Sequence, residues 1–290
     1  MELKKRIDGR VRFAYLLLGV GILLYAAPMT GFFRAAIRDG TFSYIVFIPP
    51  VSFYLLYEER KKICQANPGS PIPSVVLVSL GVFLFIAARY FPINSSIPVE
   101  RFILYALSTI LYLGGVFGLM VGTGGLRAAL FPLGFMLFMI PIPEVILNPI
   151  VRLLQVGSAE VSYWMIRGIG VPVFRDGFIF SLPGLSIEVA EQCSGIRSGI
   201  SLFLVGILAG HIFLKSGWRK LALAAAVVPI TIAKNGLRIV TLALLGVYVD
   251  RRVLSGPLHE AGGIPFFLVG IMGLAIVLWA LRRREPSKTS

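Results

Sequence analysis

The stretch Leu185–Gly206 reads LSIEVAEQCSGIRSGISLFLVG, and in it a short polar segment leads directly into a long apolar run. Residues able to carry charge or donate hydrogen bonds fall within seven positions just before that run: Glu191, Gln192, Cys193 and Arg197. A helix that crosses a bilayer is apolar over most of its length, and polar groups collect at its ends. The stretch therefore predicts that the chain enters a membrane close to Cys193.

The composition of the whole chain agrees with a membrane protein. Apolar residues make up 57% of the sequence and charged residues 14%, whereas a soluble domain carries about 25% charged residues. We therefore predict an all-α integral membrane protein that forms a single polytopic domain over residues 1–290. The net charge of +14 does not indicate nucleic acid as a partner, because the basic residues form short clusters at the ends of apolar stretches.

Apolar stretches long enough to cross a bilayer predict eight transmembrane helices, at residues 11–29, 41–58, 73–91, 102–121, 128–147, 197–214, 221–246 and 264–281. The first is interpreted as a retained span, since no small-residue cleavage site follows it. With eight spans the strongest basic clusters all lie on one side: Lys4–Arg12, Arg60–Lys62, Lys215–Lys220 and Arg282–Arg284. The positive-inside rule makes that side cytoplasmic, so both termini are expected inside a cytoplasmic (inner) membrane.

The segment between the fifth and sixth predicted spans, residues 148–196, has a different pattern. Its first half carries apolar residues at helical spacing with polar residues between them, which predicts an interfacial or bundle-packed amphipathic helix. Its second half has short β-rich runs separated by Asp176-Gly177 and Pro183-Gly184. Both dipeptides are turn signals, so we predict a small extracytoplasmic β-ribbon that leads into the sixth span.

Cys193 is the first candidate for chemistry. It precedes a predicted helix, where the helix dipole favours the nucleophilic thiolate form, and Arg197 adds positive charge four residues later. The other cysteine, Cys64, is expected on the cytoplasmic side, so the two cannot form a disulfide. A buried and unreactive cysteine is the alternative interpretation of Cys193.

The two histidines differ in their expected distance from Cys193. His211 follows Cys193 by 18 residues in the same predicted helix, which is about 27 Å at the α-helical rise. It belongs at the cytoplasmic end, with a structural or interfacial role. His259 lies in the loop SGPLHEAGG before the last span, on the same side as Cys193. His259 is therefore the histidine expected to serve the cysteine as base or acid.

The seventh predicted span contains the polar motif TIAKNGLRIV, with Lys234, Asn235 and Arg238. An ionisable group inside a span costs about 2.5–3.5 kcal/mol, and such groups usually mark function. Arg238 is 17 residues from the cytoplasmic entry at Leu221, or about 25 Å, which brings it to the level of Cys193. A snorkelling arginine is the alternative, but it does not explain Asn235 three residues earlier.

A cysteine, a histidine and an arginine at one membrane surface are typical of acyl transfer. The thiolate is the nucleophile, the imidazole is the base or acid, and the guanidinium can stabilise the oxyanion. No cluster of histidine, cysteine and carboxylate residues has metal-ligand spacing, so neither a metal nor another cofactor is expected.

Three motifs together resemble the signature regions of exosortases, the bacterial branch of the exosortase/archaeosortase family. They are EVAEQCSGIRS, AKNGLRI about 40 residues later, and the histidine in the loop before the last span. The resemblance covers nearly the whole chain. It implies that Cys193, Arg238 and His259 are catalytic; Arg197, Asn235 and Glu191 are expected to support them.

The resemblance also implies an activity, a membrane-embedded cysteine transpeptidase. Such an enzyme cleaves a C-terminal sorting signal of secreted proteins, typically a Pro-Glu-Pro (PEP-CTERM-like) motif with a hydrophobic span and a basic tail. It passes the new C-terminus to an acceptor, here expected to be a membrane lipid or glycan, at the periplasmic face. Two alternatives stay open. One is a hydrolase of the same signal without transfer, and the other is a non-enzymatic transporter or assembly protein of an envelope polysaccharide system.

Overall fold

The computed structural model describes residues 2–38, 42–90, 99–250, 252 and 263–283. Within these ranges the chain is mostly helical and carries one small antiparallel sheet. It separates into two compact units, Met1–Pro143 and Glu144–Ser290, which are described in turn. The single domain predicted from the sequence stays a prediction.

The first unit is built on α5, whose bounds are Val99–Ala128. Both α1 (Glu2–Arg38) and α4 (Ile72–Tyr90) pack along it. The buried core between these helices is aromatic and aliphatic, and the hydroxyl groups of Tyr25 and Ser108 lie 2.7 Å apart within it. The helices of this unit are α1 (Glu2–Arg38), α2 (Ile48–Glu58), α3 (Arg60–Gln65), α4 (Ile72–Tyr90), α5 and α6 (Leu130–Phe135), with 3-10 turns at Ser43–Phe47 and Met136–Met139.

The second unit contains the sheet and the helices around it. It consists of α7 (Glu144–Gly168), β1 (Phe174–Asp176), β2 (Ile179–Leu182), β3 (Leu185–Glu188), a 3-10 turn at Glu191–Cys193, α8 (Ile196–Phe213), α9 (Gly217–Tyr248) and α10 (Gly263–Arg283). The long helix α9 packs against α7, α8 and α10. One buried cluster joins α7 and α9 to the sheet, and a second joins α8, α9 and α10.

Six helices in the described residues are long and apolar enough to cross a membrane: Arg12–Arg38, Ile72–Tyr90, Glu100–Ala128, Ile196–Phe213, Gly217–Tyr248 and Gly263–Arg283. They correspond to six of the eight predicted spans, so the protein is a multi-pass membrane protein. A seventh candidate span is obtained only if Leu130–Met139 and Glu144–Gly168 are counted together.

The other two predicted spans, residues 41–58 and 128–147, do not form the continuous helices that the sequence analysis expected. In the first, α2 begins at Ile48 with a proline at its start and has 11 residues, or roughly 16 Å of helix against the 30 Å of a bilayer core. In the second, the helical turns end at Met139 and Ile140 is extended. Pro141 and Pro143 follow, and a residue before proline is disfavoured in the α conformation.

The predicted amphipathic helix and the predicted β-ribbon are both present. The ribbon is a three-stranded antiparallel sheet in the order β1-β2-β3. Its two turns fall at the predicted dipeptides, and both glycines have positive φ, 57° at Gly177 and 72° at Gly184. Glycine adopts this left-handed conformation without a steric cost, so these residues determine where the strands reverse.

The predicted amphipathic helix is α7, and it packs on α9 with an unusual distribution of side chains. Its buried face includes Gln155, Ser158 and Ser162, whereas Leu153 and Trp164 are 56% and 59% exposed. A helix that lies beside lipid typically has small and polar residues at its contact with another helix and apolar residues on its outer face. The polar side chains of α7 therefore face the interior of the second unit, where they can bind other segments.

Candidate functional site

Cys193 lies in a tight turn between the sheet and a membrane helix. Its backbone N–H donates to the carbonyl of Ala190 at 2.9 Å, and the N–H of Ser194 donates to the carbonyl of Glu191 at 3.0 Å. Gly195 then precedes α8 with φ of 82°, a left-handed conformation that reverses the chain into the helix. Cys193 is half-buried and forms no disulfide. Cys193 is thus held at the start of α8, as the sequence predicted.

Asn235 of α9 holds this turn directly. Its side-chain amide donates to the backbone carbonyl of Cys193 at 2.7 Å and to the hydroxyl of Ser158 at 3.0 Å. Only 1% of its surface is exposed. A Cβ atom on Gly195 would lie 2.9 Å from Cγ of Asn235, so glycine is also required by the close approach of α9. Asn235 was predicted as a supporting residue, and the structure brings it into contact with Cys193.

Gln155 of α7 anchors the chain just ahead of the cysteine. Its buried side-chain amide donates to the carbonyl of Val189 at 2.7 Å. The N–H of Val189 donates to the carbonyl of Phe178 at 2.9 Å, which ties the same residue to the sheet. Because Val189 is bonded on both sides, the chain leaves β3 in one defined direction.

Lys234 holds the other end of the turn. Its ammonium donates to the hydroxyl of Ser198 at 2.6 Å, and that hydroxyl donates to the carbonyl of Gly195 at 3.1 Å. Lys234 is 4% exposed. Consecutive residues of α9, Lys234 and Asn235, therefore bind residues at both ends of the turn Cys193–Ser198.

The remaining predicted site residues lie at varied depths. Arg238 is half-buried on α9, one turn beyond Lys234, while Arg197 and Glu191 are exposed at the start of α8 and in the 3-10 turn. His211 is in the last turn of α8, at the opposite end of that helix from Cys193. His259 lies outside the residues that the structure describes.

Sequence reasoning did not identify Ser158, Gln155 or Ser198 as parts of the site. Ser198 lies within the CSGIRS motif, and Lys234 was noted as an ionisable residue inside a span, but nothing in the sequence paired them. Gln155 and Ser158 lie 34 and 77 residues from the atoms they bind. No local pattern connects residues at such separations.

Comparison with models of known protein families matches this chain to one family. The family model of the transmembrane exosortases matches residues 36–276. The chain belongs to the transmembrane exosortase family. A search of curated proteins and a search of solved structures found no significant match. The resemblance recognised from three short motifs is thereby confirmed, and the match extends over most of the exosortase chain.

Membership in this family implies that the exosortase takes part in the processing of sorting signals at a membrane. The six apolar helices agree with a role at a membrane.

Proposed function

We propose that this exosortase is a cysteine transpeptidase that cleaves a C-terminal sorting signal and transfers the protein to an acceptor. The observation that carries the proposal is the hydrogen bond from Asn235 to the carbonyl of Cys193. A buried amide that orients the backbone of a half-buried cysteine at a helix start is the arrangement expected of a preorganised nucleophile.

In the proposed reaction the Cys193 thiolate attacks the carbonyl carbon of the scissile peptide bond. The Sγ–C bond forms and the carbonyl oxygen becomes an oxyanion, which the guanidinium of Arg238 stabilises. His259 then protonates the departing amine as the C–N bond breaks, leaving a thioester on Cys193. The same imidazole removes a proton from the acceptor nucleophile, which attacks the thioester and releases the free thiolate. Arg197 and Glu191 support the site from its exposed side.

The proposed substrates are secreted proteins with a short Pro-Glu-Pro motif, an apolar span and a basic tail, and the proposed acceptor is a membrane lipid or glycan. The partly buried thiol suits such a substrate, because a signal that spans the membrane presents its motif at the membrane surface. The exposed apolar side chains of α7 provide further lipid-facing area beside the cysteine turn.

We further propose that Cys193 faces the periplasm of the inner membrane and that both termini are cytoplasmic. Within the second unit, Lys215 lies between α8 and α9, Arg219 and Lys220 lie in the first turn of α9, and basic residues also end α10. Cys193 precedes α8 and so belongs to the other end of these helices. The positive-inside rule applied to this unit alone makes the basic ends cytoplasmic.

The catalytic proposal is tested by co-expressing the exosortase with a secreted reporter that ends in the signal described above. The wild-type protein is expected to remove a tag placed after the basic tail, and Cys193→Ala is expected to abolish removal. Cys64→Ala serves as the matched control and is expected to retain full activity. Processing by Cys193→Ala, or no processing by the wild-type protein, would refute the catalytic proposal and favour a transporter or assembly role.

Mass analysis of the new C-terminus separates transfer from hydrolysis. An added lipid or glycan mass is expected, whereas a free carboxylate would identify a hydrolase.

The orientation is tested with a membrane-impermeant thiol reagent on intact spheroplasts. Cys193 is expected to react in a Cys64→Ala background. Protection of Cys193, with reaction only after lysis, would refute the orientation. Cys64, tested in a Cys193→Ala background, is expected to be protected; its reaction would show that residues 41–58 do not cross the membrane.

A further inference from the structure

Lys234 is a buried cation that the proposed reaction does not use. It lies on the membrane helix α9, 4% exposed, with its Nζ atom 2.6 Å from the hydroxyl oxygen of Ser198. Within the described part of the chain its hydrogen-bond acceptor is this neutral hydroxyl, and no carboxylate forms a salt bridge with it. The next charged residue along its helix is another cation, Arg238.

An ammonium in these surroundings is costly. Burial of a charge without an opposite charge is unfavourable, and intramembrane lysines are rare outside functional sites. A methionine of nearly the same length would fill the space without that cost. The position is therefore better explained by what the ammonium holds than by packing alone.

The Lys234 side chain lies against α10 and reaches α8. A Cβ atom added to Gly270 of α10 would lie 2.9 Å from Cδ of Lys234 and 3.3 Å from Cδ2 of Leu202. The lysine stem thus passes close beneath the bare backbone of Gly270, beside α8. This contact directs the ammonium to Ser198 in the first turn of α8.

Lys234 and Asn235, which are consecutive in α9, bind different parts of the cysteine turn. Asn235 binds the Cys193 carbonyl and, through Ser158, α7. Lys234 binds Ser198 and lies against α10. The Ser198 hydroxyl in turn donates to the Gly195 carbonyl oxygen at 3.1 Å, and Gly195 belongs to the turn that carries the thiol.

We propose that Lys234 is a positioning residue for the cysteine nucleophile, acting through Ser198. This inference rests on the proposed function, because it assigns Lys234 to the same reaction. It holds the first turn of α8 so that the thiolate meets the scissile carbonyl in the reactive orientation. A misplacement of about 1 Å costs roughly 100-fold in rate, so a small release of this turn lowers kcat strongly.

The direct test compares Lys234→Met with Lys220→Met, which removes a lysine near the other end of the same helix. With purified protein and a reporter peptide, Lys234→Met is expected to lower kcat by about 10- to 100-fold while KM changes by less than about threefold. Lys220→Met is expected to leave both values unchanged. Unaltered kcat in Lys234→Met, with the wild-type melting temperature, would overturn the inference.

Coupling between Lys234 and Ser198 distinguishes the proposed positioning role from a purely structural role of the lysine. Ser198→Ala is expected to lower kcat to a similar extent, and the double variant is expected to be no slower than the slower single variant. Multiplicative losses in the double variant would show that Lys234 does not act through Ser198.

Gly270→Ala gives a second perturbation that keeps the lysine and its charge. The added methyl displaces the lysine stem, and a displacement smaller than 1 Å is expected to lower kcat by about 10-fold. Gly273→Ala is the matched control, since its Cβ would meet Ile230 at 3.3 Å instead. Equal effects of the two substitutions would count against the inference.

The two hypotheses fail in different ways. If Cys193→Ala remains active, the proposed function is wrong. If Cys193→Ala is inactive while Lys234→Met and Ser198→Ala retain wild-type kcat, the proposed function stands and the role assigned to Lys234 is wrong. If Lys234→Met is poorly folded, Gly270→Ala and Ser198→Ala still decide the question.

Discussion

The side-chain amide of Asn235 donates a 2.7 Å hydrogen bond to the backbone carbonyl of Cys193, although 42 residues separate them in the sequence. The bond joins the middle of a membrane helix to the turn at which the chain leaves the sheet. It places the AKNGLRI motif beside the CSGIRS motif through a contact of the backbone rather than of the thiol. The thiol is therefore left unconstrained by this bond, while its position is defined.

Removal of this amide is expected both to slow the enzyme and to destabilise the fold. Asn235→Ala leaves the Cys193 carbonyl and the Ser158 hydroxyl without their donor, which costs about 1–3 kcal/mol. We expect kcat to fall at least 10-fold, measured with the reporter peptide. Asn235→Asp should behave alike, because an ionised carboxylate cannot donate. Asn148→Ala, an exposed position on α7, is the control, and an equal loss there would contradict the assignment.

Gly195→Ala is expected to lower stability and activity more than the substitution of Gly168 by alanine. A residue with a side chain pays about 1–2 kcal/mol for the left-handed conformation, and the new methyl group also meets Asn235. We expect a lower melting temperature in detergent and loss of reporter processing. Gly168→Ala is the matched control, since nothing lies within 4 Å of its Cβ position. A variant with wild-type activity at Gly195 would show that the turn tolerates rearrangement.

Gln155→Leu keeps the size of the side chain but removes the donor to Val189. The buried carbonyl then loses its partner, which is expected to lower the free energy of unfolding by about 1–3 kcal/mol. The segment that leads to Cys193 should also become more accessible to proteolysis. Val156→Ala, on the exposed face of α7, is expected to change stability by less than about 0.5 kcal/mol. Identical proteolysis of the two variants would argue against an anchoring role.

The ion pair of Arg175 with Glu160 is expected to make a small, pH-dependent contribution. The two lie 2.6 Å apart, but the Glu160 side chain is 53% exposed. Hydrogen bonds from Arg175 and Trp164 lower the pKa of Glu160 below its ordinary value. The folded state therefore gains stability above the ordinary glutamate pKa, and this gain is lost as the pH falls through the lowered pKa.

The measurement for this pair is the melting temperature of Arg175→Gln against that of the wild-type protein, as a function of pH. The difference should be small at neutral pH, because exposed pairs contribute little, and should vanish in acid. A difference that is constant across this range would show that Arg175 acts through packing on Phe180 rather than through its charge.

Much of the fold follows from local features of the sequence. Six apolar stretches form membrane-length helices. The dipeptides Asp176-Gly177 and Pro183-Gly184 form turns, because glycine adopts a positive φ without a steric cost. Two predicted spans do not form continuous helices in the structure, because hydropathy measures apolar content and not continuity. Pro141 and Pro143 interrupt a stretch that is apolar enough, and α2 is too short on its own.

Several residues of the candidate site could be predicted from the sequence, but the contacts between them could not. Cys193, Asn235 and Arg238 were singled out because polar groups are conspicuous at the ends and in the middle of apolar helices. Gln155, Ser158 and Ser198 were not, because a glutamine or a serine on an amphipathic helix has no local feature that marks it as a partner. Their roles arise from contacts between segments that lie 34 or more positions apart in the sequence.

The sequence by itself determined the membrane class, the sheet turns and the placement of a cysteine at a helix start, since each depends on hydropathy or backbone preference over a few residues. Only the tertiary structure decided that Asn235 binds the Cys193 carbonyl, that Lys234 binds Ser198 and that Gln155 holds Val189. The rotation of one packed helix against another selects which side chains face each other. That rotation is decided by the packing of all the helices together, not by any one segment.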